Sequence, residues 1–156
     1  MASHRRFTLA LAAAIFISPG PVRGQDVSGT WTTEVPIQVQ NMNGVETVTE
    51  SATVRITLEQ DGETVVGTWQ MAPQPDRPNP PARQLSGTVR GAQLVLTDTS
   101  EAHVRRGNEP PMAVRMVNTI DVTLDGDRLT GTQSARSIDG AISGQARPFT
   151  ATRAQS

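Results

Sequence analysis

Apolar and polar residues alternate along most of the chain from residue 30 onward, in runs separated by turn residues. Two of these runs, Ile56–Trp69 and Ile120–Gln133, are near-copies, and each alternates into an Asp-Gly pair and out again. Period-two alternation is typical of half-buried strands, and an Asp-Gly pair between two such runs predicts a tight hairpin. The sequence therefore predicts an all-β protein built from hairpins.

Eight segments carry this alternation, and none carries a helical stripe of useful length. The predicted strands are Thr30–Gln40, Glu46–Glu59, Glu63–Met71, Gln84–Arg90, Ala92–Val104, Met112–Leu124, Arg128–Ser137 and Ala141–Arg153. Consecutive hairpins make an antiparallel meander, and eight strands suffice to close a barrel that holds one small ligand. Closure would also remove the exposed edges of an open sheet. We therefore predict an eight-stranded antiparallel up-and-down β-barrel over residues 25–156.

The alternation also predicts which face of each strand points inward. On the second strand the apolar set is Val48, Ala52, Val54, Ile56 and Leu58, and the opposite face is polar. The first and sixth strands divide in the same way, with Trp31, Val35, Ile37 and Val39 on one inner face and Val114, Met116, Ile120 and Leu124 on the other. A polar exterior is the reverse of the pattern of a membrane barrel, so we expect no membrane insertion.

The connections predict a barrel with two different ends. Tight turns at Asp61-Gly62, Arg90-Gly91 and Asp125-Gly126 alternate with longer connections, of which Ala72–Arg83 contains five prolines. In a meander, alternate connections fall at opposite ends, so one end is closed and the other is a mouth. A short seventh connection near Asp139-Gly140 is expected on the mouth side.

Polar residues at inward positions near the mouth predict a small-molecule site. The candidate ligand-binding residues are Glu50, Trp69, Met71, Asp98, Ser100, Met116, Asn118 and Gln133. Asn118 and Gln133 lie in mid-strand, where a polar side chain needs a partner, although strands also become polar simply because they approach the rim. The leading hypothesis is a binding protein for a small apolar or amphipathic molecule.

Two alternatives remain open from the sequence. Glu50 and Asp98, if both face an apolar cavity, could act as general acid and base in a cofactorless isomerase, cyclase or hydrolase. The proline-rich segment Ala72–Arg83 favours extended backbone, which suits either a rigid lid over the cavity or a protein-binding element. A Ser-His-Asp site is not expected, because Asp98 and Ser100 share one face of their strand and His103 lies on the other.

Composition narrows the classes of partner. Residues 1–24 have a basic start and an apolar run too short to span a bilayer, which predicts a signal peptide and export to the periplasm or beyond the cell. Without Arg5, Arg6 and Arg23, the 14 basic residues fall to 11 against 15 acidic ones, a net charge of −4. A nucleic-acid surface needs a basic cluster, so none is expected. With no cysteine and one histidine after residue 24, neither disulfides nor a metal or haem cofactor are expected.

Ser28-Gly29-Thr30-Trp31 at the start of an eight-stranded meander resembles the opening of the calycins, the group that contains lipocalins and avidins. Lipocalins begin with Gly-x-Trp, and a late arginine covers that tryptophan at the closed end. The resemblance implies that Arg153 covers Trp31. The chain departs from lipocalins in lacking a helix after the last strand, and from avidin in lacking its stacking tryptophans and tyrosine, so biotin binding is not implied.

Overall fold

The computed structural model describes residues 25–42, 45–75, 78, 80–104 and 110–155, so the predicted signal peptide lies outside the described residues. The strands are β1 Gly29–Met42, β2 Val45–Asp61, β3 Thr64–Met71, β4 Arg83–Arg90, β5 Gln93–Val104, β6 Met112–Asp125, β7 Arg128–Ser137 and β8 Arg147–Arg153. Each strand pairs antiparallel with the next, and β8 returns to β1, which closes the barrel. The predicted fold class is confirmed. The described part of the chain contains no helix with the length and apolar character needed to cross a membrane.

Two of the tight turns owe their geometry to glycine. Gly62 and Gly126, in the two Asp-Gly hairpins, have φ angles of 61° and 59°. Positive φ costs a side-chain-bearing residue energy that glycine avoids, and primed hairpin turns require it. These hairpins fix the β2–β3 and β6–β7 registers as the sequence predicts.

The seventh connection is longer than the sequence indicated, because β8 begins at Arg147 rather than at Ala141. Residues 138–146 fold back beside the end of β7, where Gly144 N donates to Ala135 O at 2.7 Å. The Ile142 amide donates to the hydroxyl of buried Ser137 at 2.9 Å, which holds the turn. Because of these local hydrogen bonds, the first six residues of the predicted strand belong to the connection and not to β8.

The barrel interior is the apolar core, and the predicted facing of β2 is confirmed from Ala52 to Leu58, whereas Val48, also predicted inward, is 52% exposed near the mouth. Ala52, Val54, Ile56 and Leu58 of β2 are buried, while the intervening side chains of that strand are exposed. Inward glycines let the strands bend at closely packed points. A Cβ on Gly87 would lie 1.9 Å from Val95 O, and Gly67 and Gly131 are similarly crowded by backbone oxygens. Glycine at these positions permits the strong strand curvature that closure demands.

The closed end is sealed by Trp31 and a segment that precedes the first strand. Trp31 is fully buried, and the Arg153 guanidinium lies over its ring at 4.3 Å from the centroid, as the calycin resemblance implied. Val27 is also fully buried and accepts a 2.9 Å hydrogen bond from Trp31 Nε1. The Gln25 amide donates to Gly91 O at 3.0 Å, so residues 25–28 cross the closed end and cap it.

Candidate functional site

The opposite half of the barrel contains a cavity of about 900 Å³, which we call the main cavity. Its wall is formed by residues of β1, β2, β3, β4, β7 and β8, including exposed ones of β1 and β8 such as Glu34 and Pro148, together with the ends of two connections. The described lining is Thr33, Glu34, Val35, Pro36, Ile37, Val48, Trp69, Met71, Pro80, Pro81, Arg83, Gln133, Ser134, Ala135 and residues 144–150. This volume lies within the range of about 300–1,000 Å³ usual for small-molecule pockets.

The main cavity reaches the seam between the first and last strands. β1 and β8 pair through Trp31 with Arg153 and Thr32 with Thr152. The hydroxyl of buried Thr33 then donates to Thr150 O at 2.7 Å. Farther toward the mouth, Pro36 of β1 and Pro148 of β8 lack the N–H that a further rung would need. The barrel is therefore closed tightly at its sealed end and parts along this seam toward the mouth.

The tryptophan of the main cavity is covered by an arginine. Trp69 and Arg83 are directly paired across β3 and β4, so their side chains share the inner face. The Arg83 guanidinium carbon lies 4.7 Å from the Trp69 ring centroid, which is cation–π geometry. Phe149 of β8 packs on the same indole, with ring centroids 6.3 Å apart.

Arg83 is also ion-paired, and this fixes its head group. Its Nη1 lies 2.9 Å from Asp98 Oδ2, and the two side chains are 27% and 2% exposed. Within the described part of the chain no donor makes a hydrogen bond of good geometry to Asp98 Oδ2, so the contact with Arg83 is a close charge pair without an aligned N–H. Burial lowers the pKa of Arg83, and the negative charge of Asp98 opposes that shift. Each charge therefore lowers the free-energy cost of burying the other.

A second hollow of about 710 Å³ lies beside the main cavity. It lies where β4 begins, at Arg83, while the neighbouring β5 extends farther toward the mouth. Asp98 and Ser100 line it, and Pro80, Pro81 and Arg83 line both spaces. Ser100 is held in place because Asn118 Nδ2 donates to its hydroxyl at 3.0 Å. Asn118 thus has a polar partner, as its mid-strand position required.

The sequence-predicted site residues divide between these two spaces. Trp69, Met71 and Gln133 line the main cavity, whereas Asp98 and Ser100 line the second hollow. The remaining predicted residues, Glu50, Met116 and Asn118, line neither of them. Met116 is buried, opposite Ser100 in the β5–β6 pair. Ligand binding by this set stays a prediction.

Neither the main cavity nor the second hollow is lined by both of the carboxylates proposed as acid and base. Glu50 is half-buried on β2, and Asp98 lies on β5 against Arg83. His103 is exposed, and the burial pattern of β5 places it on the face opposite to Asp98 and Ser100. Within the described residues no group of three His, Cys, Asp or Glu side chains could hold a metal ion.

Arg83 and Phe149 are the site residues that the sequence analysis missed. Arg83 precedes Leu85 and Val89 at period two, so the alternation did contain the signal that it points inward. The predicted strand begins one residue later, at Gln84, which leaves Arg83 in the preceding loop. Phe149 lies within the predicted last strand, but the register of that strand was not predictable, because β8 begins at Arg147 and not at Ala141.

Comparison with known proteins gives no assignment. No protein-family model, no curated protein and no solved structure matches the chain. The fold and the cavities define the class, a closed eight-stranded antiparallel barrel with a main cavity lined by both apolar and polar residues, Arg83 among them.

Proposed function

We propose that this chain is an exported binding protein with a calycin-like barrel, and that it holds one small, largely apolar molecule in the main cavity. The observation that carries the proposal is the wall of that cavity, where Trp69, Met71 and Phe149 lie beside Arg83, whose ion-pair partner Asp98 lines the neighbouring hollow. Large apolar surface with a few fixed polar groups is the usual composition of a small-molecule pocket.

The position of the proline-rich segment favours a role as a lid over the cavity rather than as a separate protein-binding surface. Pro80 and Pro81 line both spaces, so this end of the segment is part of the cavity wall. Proline restricts the backbone and thereby limits the ordering cost when a ligand is enclosed.

Binding is favoured over catalysis by the position of the acidic groups. Acid–base chemistry would require Glu50 and Asp98 to reach one substrate, and Glu50 lines neither the main cavity nor the second hollow. Asp98 is moreover committed to Arg83 at 2.9 Å. The cofactorless enzyme remains the alternative, and replacing either carboxylate by its amide would lower its turnover by roughly 10²–10⁴-fold.

The test is a fluorescence titration with 1-decanol, an uncharged and largely apolar probe that does not absorb tryptophan emission. We expect tryptophan emission to change on binding and the response to be lost in Trp69→Phe, because Trp31 is fully buried at the sealed end. Met71→Glu should weaken binding, whereas Met112→Glu, at a position 57% exposed outside the lining, should not. Equal responses from wild type and Trp69→Phe would refute a site in the main cavity.

A further inference from the structure

We infer that the main cavity selects an uncharged ligand whose apolar body carries a carbonyl group, with the carbonyl oxygen accepting a hydrogen bond from Arg83. This inference rests on the proposed binding function and specifies its ligand. The observations that carry it are the position of Arg83 in the cavity wall and its pairing with Asp98.

Arg83 has hydrogen-bonding capacity to spare. A guanidinium presents five N–H donors in a planar fork. In the described part of the chain, the polar partner recorded for Arg83 is Asp98, at Nη1. The side chain is 27% exposed and lines the main cavity, so donors remain within reach of a ligand there.

The orientation of Arg83 is set before a ligand arrives. The Trp69 ring supports one face of the guanidinium at 4.7 Å, and Asp98 holds one edge. Both contacts restrict the long side chain, so less rotamer freedom is lost when it binds an acceptor. The same tryptophan and the nearby Met71 and Phe149 offer apolar surface to the body of the ligand.

Charge balance decides between a neutral and an anionic acceptor. The Arg83–Asp98 pair sums to zero charge, and the Asp98 side chain is only 2% exposed. A carboxylate at Arg83 would bring a second anion close to Asp98, whose side chain is almost fully buried, which is costly without another cation. The other charged residues of the lining, Glu34 and Arg147, are exposed and of opposite sign. A carbonyl oxygen accepts from the guanidinium without adding charge.

The experiment compares three probes of similar length at pH 7, namely 2-undecanone, undecanoate and undecylammonium, by calorimetric titration of the folded protein. We expect 2-undecanone to bind about tenfold more tightly than either ion, the size of one charge-assisted hydrogen bond. Arg83→Met should weaken the binding of 2-undecanone about tenfold without any gain for undecanoate, because Asp98 is then an unpaired anion. Arg90→Met, on the same strand but 78% exposed at the sealed end, is the matched control and should preserve the affinity for 2-undecanone.

Asp98→Asn supplies an independent arm. It leaves Arg83 with an unbalanced positive charge, so affinity for undecanoate should rise about tenfold while that for 2-undecanone stays within a few-fold. Circular dichroism checks that Arg83→Met folds. If it does not, the affinities of Asp98→Asn and of Arg83→Lys for the three probes test the inference instead. Arg83→Lys keeps the positive charge but loses the planar fork. Tightest binding of undecanoate by wild type would overturn the carbonyl inference and leave the binding function standing. Failure of all three probes to bind would instead count against the proposed function.

Discussion

The guanidinium of Arg83 lies over the ring of Trp69, 4.7 Å from its centroid, inside the main cavity. The barrel repeats this contact at its other end, where Arg153 lies over Trp31 at 4.3 Å. The two pairs differ in access, because Trp31 is fully buried while Trp69 and Arg83 line an open space. We therefore expect the first pair to govern ligand binding and the second to govern stability.

The closed-end pair predicts a strongly coupled double mutant. Trp31→Ala should lower the free energy of unfolding by about 3–5 kcal/mol, the usual cost of removing a buried large aromatic. Arg153→Ala should cost less, and the two losses should fall short of additivity by about 0.5–2 kcal/mol, the worth of a cation–π contact. Urea unfolding of the four proteins measures this coupling. Strictly additive losses would contradict an energetic role for the contact.

The Arg83–Asp98 pair predicts that its acidic partner is structurally important. Asp98→Ala leaves Arg83 in the interior without a counter-charge, and we expect a loss of about 2–4 kcal/mol in the free energy of unfolding. Glu63→Ala breaks the exposed Glu63–Arg90 pair, 3.5 Å apart, and should cost less than about 1 kcal/mol. Similar losses in the two variants would show that Asp98 and Arg83 are effectively solvated.

The crowded glycines predict intolerance to a single methyl group. Gly87→Ala places a Cβ where Val95 O lies 1.9 Å away, so the paired strands must separate, and we expect a loss of about 1–3 kcal/mol. Gly62→Asn is the comparison, because nothing lies within 4 Å of that position and asparagine tolerates positive φ. Its effect should stay within about 1 kcal/mol. Thermal unfolding that ranks the two variants in reverse would argue against strand bending at Gly87.

Much of the barrel was predictable from the sequence, because alternation reports facing directly. β7 has the predicted bounds, and the Asp-Gly turns and the inward face of β2 follow from local pattern. The cap formed by residues 25–28 was not predictable, since it is irregular and held by contacts with distant turns. The late start of β8 was not predictable for a similar reason. Ser137 and the following turn form hydrogen bonds that leave no periodic pattern in the sequence.

The candidate site was predictable only in part. The alternation of apolar and polar residues predicts that Trp69, Met71 and Gln133 point inward, and all three line the main cavity. Asp98 lines the second hollow, whereas Glu50 lines neither space. This difference depends on how side chains fill the barrel between β2 and β5, and the alternation of residues does not describe that filling. The pairing of Arg83 with Trp69 depends on the β3–β4 register across an irregular connection, so the central polar contact of the cavity was missed.

The cap also predicts a small pH dependence. The Ser28 amide donates to Asp26 Oδ1 at 2.9 Å, and hydrogen bonds from Ser28, the largest cause, lower the pKa of Asp26. A carboxylate with a lowered folded-state pKa stabilises the fold above its unfolded pKa, and the contribution is lost as the pH falls through the folded value. The difference in melting temperature between wild type and Asp26→Asn should be constant above about pH 5 and shrink below about pH 4. A difference that persists unchanged at pH 2 would contradict this role.

The most direct test of a ligand site in the main cavity is a carbon-13 methyl spectrum of methionine-labelled protein, recorded with and without 2-undecanone. Met71 lines the main cavity, Met116 is buried outside the described lining, and Met112 is exposed. We predict that the Met71 methyl resonance shifts progressively to saturation while those of Met112 and Met116 stay in place. A stationary Met71, with shifts at Met112 alone or at no methionine, would contradict binding in the main cavity.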